Sequence, residues 1–397
     1  LEWRNIGPAN MGGRINDFAV VEADPNIVFA ATASAGVWRT TNNGVTWEPV
    51  FDEQPVSSIG DIAVAPSDPS IVWVGSGESN NRQSSSWGNG VYKSTDGGDS
   101  WTNVGLEDTL HIGRIVIHPT NPEVVYVAAT GHLWGPNDDR GLYKTTDGGQ
   151  TWTNTLFIDR DTGMTDVAMD PVSPGTLYAA SYQRRRTAFG FSGGGPGSGI
   201  YKTTNGGESW RRLTDGLPDG ITGRVGLDIY RSDPRIVYAV VQNANGGMFR
   251  SDDRGESWTR MSDTNPRPMY YSQIRIDPLN DQRIWAAGAR MVYSQDGGKT
   301  FVDDWVQTIH GDFHALWINP ADSNHMLAGS DGGVHYSYDR GRTWDFVNTM
   351  ALGQFYEIGY DMETPYNIYG GLQDNGSWGG PVRTLYRRGI TNEDWVR

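Results

Sequence analysis

The stretch Thr145–Trp152 reads T-T-D-G-G-Q-T-W, and its pattern recurs along the chain. The pattern is Ser or Thr, any residue, Asp or Asn, any residue, Gly, two further residues, and then Trp or Phe. Its seven copies begin at Thr40, Ser94, Thr145, Thr203, Ser251, Ser294 and Ser337. A motif that returns every 43 to 58 residues is typical of a propeller or another repeat array.

The residue types in this motif are those of a tight turn. An Asp or Asn side chain accepts hydrogen bonds from backbone amides that follow it, and a Ser or Thr hydroxyl adds a further local bond. Gly permits a positive φ, and the Trp begins the next strand and buries a large ring. We interpret the motif as a strand-turn-strand staple with a structural role.

Four short strands, which we name A to D, are predicted between successive motifs. In the third repeat, strand B is the apolar run Val124–Ala129, strand C is Gly141–Lys144, and strand D begins at Trp152. An Asp-Pro or Asn-Pro turn joins strands A and B in each repeat, as at Asn121-Pro122, and Pro suits a turn better than a central strand. The sequence therefore predicts an all-β fold, a β-propeller of four-stranded antiparallel blades.

The blade register divides the chain into two parts. Residues 1–350 are predicted to form seven blades with the motif, and residues 351–397 an eighth unit without it. This unit is either an eighth blade or the start of a second, truncated propeller. Residues 1–8 resemble a D strand, so they could close an eight-bladed ring, but the abrupt end at Arg397 favours the second alternative.

Composition excludes several classes of function. The formal charge of −15 argues against a nucleic-acid partner, because phosphate binding needs a basic surface. No run of about 18 apolar residues predicts a membrane span. Cysteine is absent, which excludes disulfides and thiolate metal sites. No cofactor is expected apart from a divalent metal at the site described below.

Long B–C loops in blades two to four are predicted to form a wall on one face of the propeller. Long loops on a rigid scaffold often carry function, so we expect a ligand there, a glycan or a protein or peptide segment. The candidate ligand-binding residues are Glu78, Arg82, Trp87, His132, Trp134, Arg184, Arg185, Arg186 and Phe189. Aromatic residues expected at the surface, where they could stack on sugars, are Trp87, Trp134, Phe189, Phe191, Tyr270, Tyr271, Trp305, Phe355 and Tyr356.

Two further groups carry chemistry. His310, Asp312 and His314 would share one face of a strand and could bind a divalent metal, although a hydrogen-bonded cluster that fixes a loop is favoured. Polar residues at the start of the A strands would line the channel. Paired carboxylates there could act as a glycosidase acid and base, and the candidates are Asp17, Asp61, Asp166, Asp312 and Glu357.

The repeated phrase G-V-Y-K-S-T-D-G-G-x-x-W resembles the Asp-box, or BNR-repeat, propellers over the whole chain. That superfamily includes sialidases, xyloglucanases of glycoside hydrolase family 74, sortilin-type receptors and photosystem II assembly factors. The phrases Gly311–Pro320 and Gly370–Trp378 are similar to those of large secreted bacterial proteins labelled glycosyl hydrolase or sortilin-like. The resemblance implies a secreted, periplasmic or cell-surface protein.

The resemblance leaves enzymatic activity open. The phrase Phe29–Arg39 is similar to one in xyloglucanases, but Ala33 stands where those enzymes have a catalytic Asp. The sialidase Arg-Ile-Pro phrase is also absent, because Asn16 follows Arg14-Ile15. Three functions therefore remain: a binding propeller, a glycoside hydrolase with its carboxylates at the channel mouth or between two propellers, and a structural subunit of an extracellular assembly.

Overall fold

The computed structural model describes residues 6–83, 85–303 and 309–397. Within these ranges the chain forms antiparallel sheets whose strands follow one another in sequence order. Short 3₁₀ turns occur at Glu107–Thr109 and Asn392–Asp394. In the described ranges, no helix combines the length and apolar character needed to cross a membrane. The predicted all-β architecture is confirmed.

The first four sheets cover the first half of the chain. Sheet one contains β1 (Ile15–Val20), β2 (Val28–Thr32), β3 (Val37–Thr40) and β4 (Glu48–Pro49). Sheet two contains β5 (Ile59–Ala65), β6 (Asp68–Ser76), β7 (Val91–Ser94) and β8 (Thr102–Asn103). Sheet three contains β9 (Ile112–Ile117), β10 (Val125–Ala129), β11 (Gly141–Thr145) and β12 (Thr153–Leu156). Sheet four contains β13 (Thr162–Met169), β14 (Leu177–Thr187), β15 (Gly190–Gly193), β16 (Gly199–Thr203) and β17 (Arg211–Leu213).

The remaining sheets follow the same order. Sheet five contains β18 (Val225–Ile229), β19 (Val237–Val241), β20 (Gly247–Ser251) and β21 (Thr259–Ser262). Sheet six contains β22 (Gln273–Asp277), β23 (Asn280–Ala287) and β24 (Val292–Ser294). Sheet seven contains β25 (Phe313–Ile318), β26 (Met326–Ser330), β27 (Gly333–Ser337) and β28 (Asp345–Phe346). The eighth unit contains β29 (Phe355–Tyr360), β30 (Asn367–Leu372) and β31 (Ser377–Pro381).

Buried apolar clusters join each of the first seven sheets to the next. Ile15 of sheet one packs in one such cluster with Ala315 and Leu327 of sheet seven, so the described parts of these sheets form a closed ring. Burying each such aliphatic side chain stabilises the ring by about 1.5–3 kcal/mol. The eighth unit does not lie between the seventh and first sheets, as a ring closed by residues 1–8 would require. Residues 1–5 of that predicted strand lie outside the described residues, and the division at residue 350 stays a prediction.

Side chains near the start of the A strands reinforce the ring from inside. The Asp61 carboxylate accepts a hydrogen bond of 2.6 Å from the Ile115 amide of the next sheet. Asp166 accepts one of 2.9 Å from the Leu227 amide, again across a sheet boundary. These bonds join neighbouring A strands. They also hold the Asp61 and Asp166 side chains at the channel.

The Asp box folds as the sequence predicts. The Thr145 hydroxyl donates to the Asp147 carboxylate at 2.7 Å, and that carboxylate accepts from the Thr151 amide at 2.9 Å and the Thr151 hydroxyl at 2.6 Å. The Thr151 hydroxyl is the main cause that lowers the pKa of Asp147 to about 2. The Trp152 indole donates to the Val104 carbonyl of the preceding blade at 2.7 Å. The third box therefore closes its own turn and packs its Trp against the preceding blade.

The two glycines of the second box allow a test of whether close packing requires glycine in this turn. Gly98 has φ +91°, and a Cβ there would lie 2.9 Å from the Phe29 ring, whereas a Cβ on Gly97 would meet nothing within 4 Å. We expect Gly98→Ala to lower the free energy of unfolding by about 1–3 kcal/mol. Gly97→Asn is the matched control and should cost less than about 1 kcal/mol, since Asn tolerates the left-handed region. Chemical denaturation measures both, and equal losses would contradict the packing argument.

Candidate functional site

The blade-two B–C segment folds inward over the ring, although the sequence predicted a projecting wall. Asn80 hydrogen-bonds to Arg224 of sheet five at 3.2 Å and to His314 of sheet seven at 3.2 Å. Asn81 donates to the hydroxyl of Tyr182 in sheet four at 2.9 Å. Because one segment of sheet two contacts three sheets across the ring, it forms a plug over the loop-face end of the channel. We call residues 78–82 the channel plug.

A buried ionic network holds the channel plug in place. Arg14 makes bidentate contacts of 2.6 and 2.7 Å with Asp331, and its third nitrogen lies 2.8 Å from Glu78. The His314 Nε2 atom lies 3.1 Å from Asp331, and all four side chains are buried. Burial alone would raise the pKa of Asp331, but Arg14 and His314 outweigh it and hold that pKa well below the usual range.

Two predicted ligand residues belong to this buried region. Glu78 is 3% exposed and Arg184 is 2% exposed, so both predicted ligand residues are buried. Arg184 donates to the Ser79 carbonyl at 2.9 Å and to the Asn81 side chain at 2.7 Å. Burial is the main cause that lowers the pKa of Arg184 to about 9. Both residues position the channel plug.

Other predicted ligand residues form an exposed aromatic ridge, which we define as Trp134, Arg186, Phe189 and Phe191. Trp134 and Arg186 pair across the blade-three and blade-four loops, and the Arg186 guanidinium lies 4.7 Å from the Phe191 ring centre. Trp134 is 49% exposed, and Phe189 at the hairpin tip is fully exposed. The ridge offers aromatic faces beside a cation.

The remaining predicted ligand residues have varied surroundings. Trp87 is exposed, as expected. His132 Nε2 lies 2.9 Å from the Asp108 carbonyl, and Arg185 pairs with Asp161. Arg82 donates to the Gln373 side chain of the eighth unit at 3.0 Å. Arg82 therefore links the channel plug to that unit.

A second polar group lies where the eighth unit meets the ring. We call Arg267, Tyr271, Asp312, Gln373 and Asp374 the junction cluster. The Tyr271 hydroxyl donates to Asp312, Arg267 lies 4.0 Å from that carboxylate, and the Gln373 amide donates to Asp374. Carboxylate oxygens of Asp312, Asp374 and the buried Asp331 all lie within 4.8 Å of one another. Such a group could hold a cation or act as an acid–base pair.

The His310, Asp312 and His314 group does not form the predicted strand face. Strand β25 begins at Phe313, and Asp312 has a left-handed backbone with φ 59°, which breaks the alternation. His314 is buried with both ring nitrogens in contact with Asn80 and Asp331. His310 contacts backbone carbonyls instead, those of Gly311 and Asp374. The arrangement matches the favoured alternative of a loop-fixing cluster, and metal binding stays a prediction.

The predicted catalytic carboxylates lie in separate places. Asp17, Asp61 and Asp166 surround Arg114 at 3.4, 3.0 and 3.2 Å inside the channel, and they line a cavity that opens on the A–B-turn face. Asp312 lies in the junction cluster. Glu357 lies on the exposed sheet of the eighth unit. The structure therefore does not bring the five together.

Some site residues were not singled out from the sequence. Asp331, Asp374 and Arg267 make many of the polar contacts described above. Two turn sequences could have indicated Asp331 and Asp374, because both are B–C turns on the loop face. They are S-D-G-G at Ser330–Gly333 and Q-D-N-G at Gln373–Gly376. Among the aromatic residues expected at the surface, Tyr270 and Tyr271 are buried and Tyr356 is exposed. Trp305 lies outside the described residues.

The chain is similar in sequence to one family model and to several curated proteins. The family model described as Sortilin, neurotensin receptor 3, matches residues 89–245. A probable oligoxyloglucan-reducing end-specific xyloglucanase of Neosartorya fischeri is 26% identical over 219 residues, which are 51% of this chain and 24% of that protein. The chain spans about a quarter of the length of the curated relatives it matches.

Solved structures show the same fold at low sequence identity. The family 74 xyloglucanase of Xanthomonas campestris has a TM-score of 0.70 and 18% identity, covering 95% of this chain and 60% of that one. The protein YCF48 bound to D1 peptide has a TM-score of 0.56 and 17% identity, covering 85% of this chain and 98% of that one. The chain is thus a β-propeller with repeated Asp-box motifs, similar to the sortilin-type family model in sequence and to family 74 xyloglucanases in sequence and fold.

Proposed function

We propose that the chain binds a glycan outside the cytoplasm, on the face of the ring that carries the aromatic ridge and the junction cluster. The observation that carries this proposal is that two consecutive residues of the channel plug connect the aromatic ridge to the junction cluster. The Asn81 carbonyl accepts from Arg186 of the ridge at 2.9 Å, and the next residue, Arg82, donates to Gln373 of the cluster. An extended ligand that crosses the channel plug at Arg82 would therefore meet both groups.

The chemistry of this surface suits sugars. Exposed aromatic faces bury the apolar face of a sugar ring, and carboxylate, amide and guanidinium groups pair with its hydroxyls. The junction cluster contributes both donors and acceptors through Arg267, Gln373, Asp312 and Asp374. The similarity to xyloglucanases supports a β-glucan such as xyloglucan, whereas YCF48 with its D1 peptide represents the peptide alternative.

Trp134→Ala tests the proposal. We expect it to weaken binding of xyloglucan oligosaccharides about tenfold, or about 1.4 kcal/mol, because the exposed ring is the stacking surface. Calorimetric titration against xyloglucan and cellulose oligosaccharides measures the change. Tyr338→Ala removes a half-exposed aromatic in the seventh Asp box and is the matched control. No saturable glycan binding, or equal losses in both variants, would contradict the proposal.

Hydrolysis is the second candidate, and the proximity of Asp312 and Asp374 favours it. Their oxygens lie within 4.8 Å, near the separation of about 5–5.5 Å that retaining glycosidases use. Inverting enzymes need about 6.5–9.5 Å to admit a water between the two groups. Asp331 is less suited to proton transfer, because Arg14 occupies both of its oxygens.

Asp312→Asn and Asp374→Asn separate hydrolysis from binding. If the pair is catalytic, each variant should release reducing sugar about 10²–10⁴ times more slowly and still bind the oligosaccharide. Asp303→Asn, on an exposed loop, is the control. Absence of product from the unaltered chain, with binding intact, would support binding alone.

A further inference from the structure

A cavity of about 550 Å³ opens on the face opposite the proposed glycan surface. It is lined by the A strands of seven sheets and by the A–B turns, including Pro66, Pro119 and Pro171. Ligand sites for small molecules commonly have volumes of about 300–1,000 Å³. We call this cavity the funnel.

The funnel is closed at its inner end. Arg114 and the carboxylates around it form its floor, and behind them lies a polar pocket of only about 20 Å³. Ser79 and Asn80 of the channel plug line that small pocket. A molecule in the funnel must therefore enter from the A–B-turn face, and it is separated from a glycan on the loop face.

More than half of the funnel wall is apolar. Aliphatic residues from several A strands line it, among them Val20, Val64, Val116, Ala168 and Leu316. An unbranched hydrocarbon chain would lose its contact with water against these walls, which favours binding by about 25 cal/mol for each Å² buried.

The floor combines one guanidinium group with three carboxylates. The three carboxylates differ in the hydrogen bonds that they accept. Asp61 pairs with Arg114 at 3.0 Å and accepts the Ile115 amide. Asp166 pairs with Arg114 at 3.2 Å and accepts the Leu227 amide. Asp17 is 8% exposed, and its contact with Arg114 is the longest at 3.4 Å. Asp17 is thus the floor carboxylate with the most capacity for another donor.

Carboxyl groups outnumber guanidinium groups among the ionisable residues that line the funnel. Its ionisable lining residues are Asp17, Glu22, Asp61, Asp166, Asp228, Arg114, Arg231 and Arg275. These are five carboxyl groups and three guanidinium groups. Burial is the main cause that raises the pKa of Asp61 well above its usual value, and Asp17 adds to this effect while Arg114 opposes it. An ammonium group beside Asp17 would relieve the repulsion between these carboxyls.

We infer that the funnel binds a small protonated amine with an unbranched apolar chain, with its ammonium group on Asp17 and its chain along the aliphatic walls. This site is independent of the glycan surface. It combines an apolar enclosure with a small number of converging polar groups, which is the usual design of a small-molecule site.

Hexylamine, 1-hexanol and hexanoate are the probes, titrated into the full chain at neutral pH and followed by calorimetry and amide NMR shifts. Hexylamine should bind with a Kd of about 1 mM or lower, and the other two at least about tenfold more weakly. Asp17→Asn should weaken hexylamine binding about tenfold. Ala168→Leu narrows the funnel without altering its charge and should weaken both hexylamine and hexanol.

Three results would overturn the inference. They are the absence of saturable hexylamine binding, equal or tighter binding of hexanoate, and unchanged hexylamine affinity in Asp17→Asn. Thermal unfolding verifies that each variant is folded. If Asp17→Asn does not fold, Ala168→Leu and the comparison of the three probes still decide the question. Asp312→Asn, on the opposite face, should leave hexylamine binding unchanged.

Discussion

Arg14→Met is expected to lower the free energy of unfolding by about 3–5 kcal/mol. Arg14 is buried, and its guanidinium pairs with both oxygens of Asp331 and with Glu78. Removing the cation leaves two buried carboxylates near each other without a counter-charge. Such a loss costs far more than the intact ion pair contributes, because the remaining charges keep their desolvation penalty.

Urea denaturation measures this loss, and two comparisons define its origin. Arg235→Met breaks an exposed pair with Asp233 and should change stability little, since water screens such pairs. Adding Asp331→Asn to Arg14→Met should recover part of the loss, because one of the unpaired charges is then removed. Similar effects of Arg14→Met and Arg235→Met, or no recovery in the double variant, would contradict the role of the buried network.

The fold could be predicted from sequence because its signal is local. In the third Asp box, the hydrogen bonds of the Thr145 hydroxyl and the Asp147 carboxylate join residues between Thr145 and Thr151. A pattern confined to seven residues is visible in any window of the chain, and seven repetitions define the register of the blades. The strands between boxes followed from that register.

The site could not be predicted in the same way, because its contacts are distant in sequence. Arg14 and Asp331 are 317 residues apart, Arg82 and Gln373 are 291 apart, and Asn80 and His314 are 234 apart. The register showed that the blade-two segment is long, but not that it turns inward. Length favoured an exposed loop, whereas the buried hydrogen-bond partners of Asn80 and Asn81 stabilise a plug.

The His310 to His314 segment shows a different limit. Its sequence fits a strand, and strand geometry would align its three polar side chains. The positive φ at Asp312 ends that alignment one residue before β25 begins. Asp312 instead faces Tyr271 and Arg267, two residues that the sequence does not place near it. Backbone conformation at one residue therefore decided which groups meet.

A shift from pH 7.5 to pH 5 is expected to lower the free energy of unfolding by about 2 kcal/mol for each of two buried histidines. Burial is the main cause that lowers the pKa of His111 to about 3 and that of His335 to about 4. In the unfolded chain a histidine gains its proton near pH 6.5. Above pH 6.5 each histidine is neutral in both the folded and the unfolded chain and does not lower the free energy of unfolding. As the pH falls from 6.5 towards the folded-state pKa, only the unfolded chain gains the proton, so the folded state loses stability.

Other buried groups modify this slope. Burial also lowers the pKa of His314, so this histidine further decreases the free energy of unfolding as the pH falls. Asp61 acts in the opposite direction, because its raised pKa favours the protonated folded state as the pH falls. Asp331, with its lowered pKa, contributes stability that is lost only below about pH 4, where the unfolded carboxyl gains its proton. Between pH 7.5 and pH 5 the histidines therefore lower the stability, whereas Asp61 and Asp228, whose pKa values are raised mainly by burial, oppose that change.

His335→Phe isolates one histidine contribution. The His335 ring packs against Phe346, and among the described residues its Nδ1 atom has no hydrogen-bond partner, so a phenyl ring can replace it. Denaturation at a series of pH values measures the free energy of unfolding. Between pH 7.5 and pH 5 the variant should lose about 2 kcal/mol less of this free energy than the unaltered chain. His118→Gln, at a half-buried position in an A–B turn, should keep the original slope. Identical slopes in His335→Phe and the unaltered chain would show that burial of the neutral His335 ring does not cause the pH dependence.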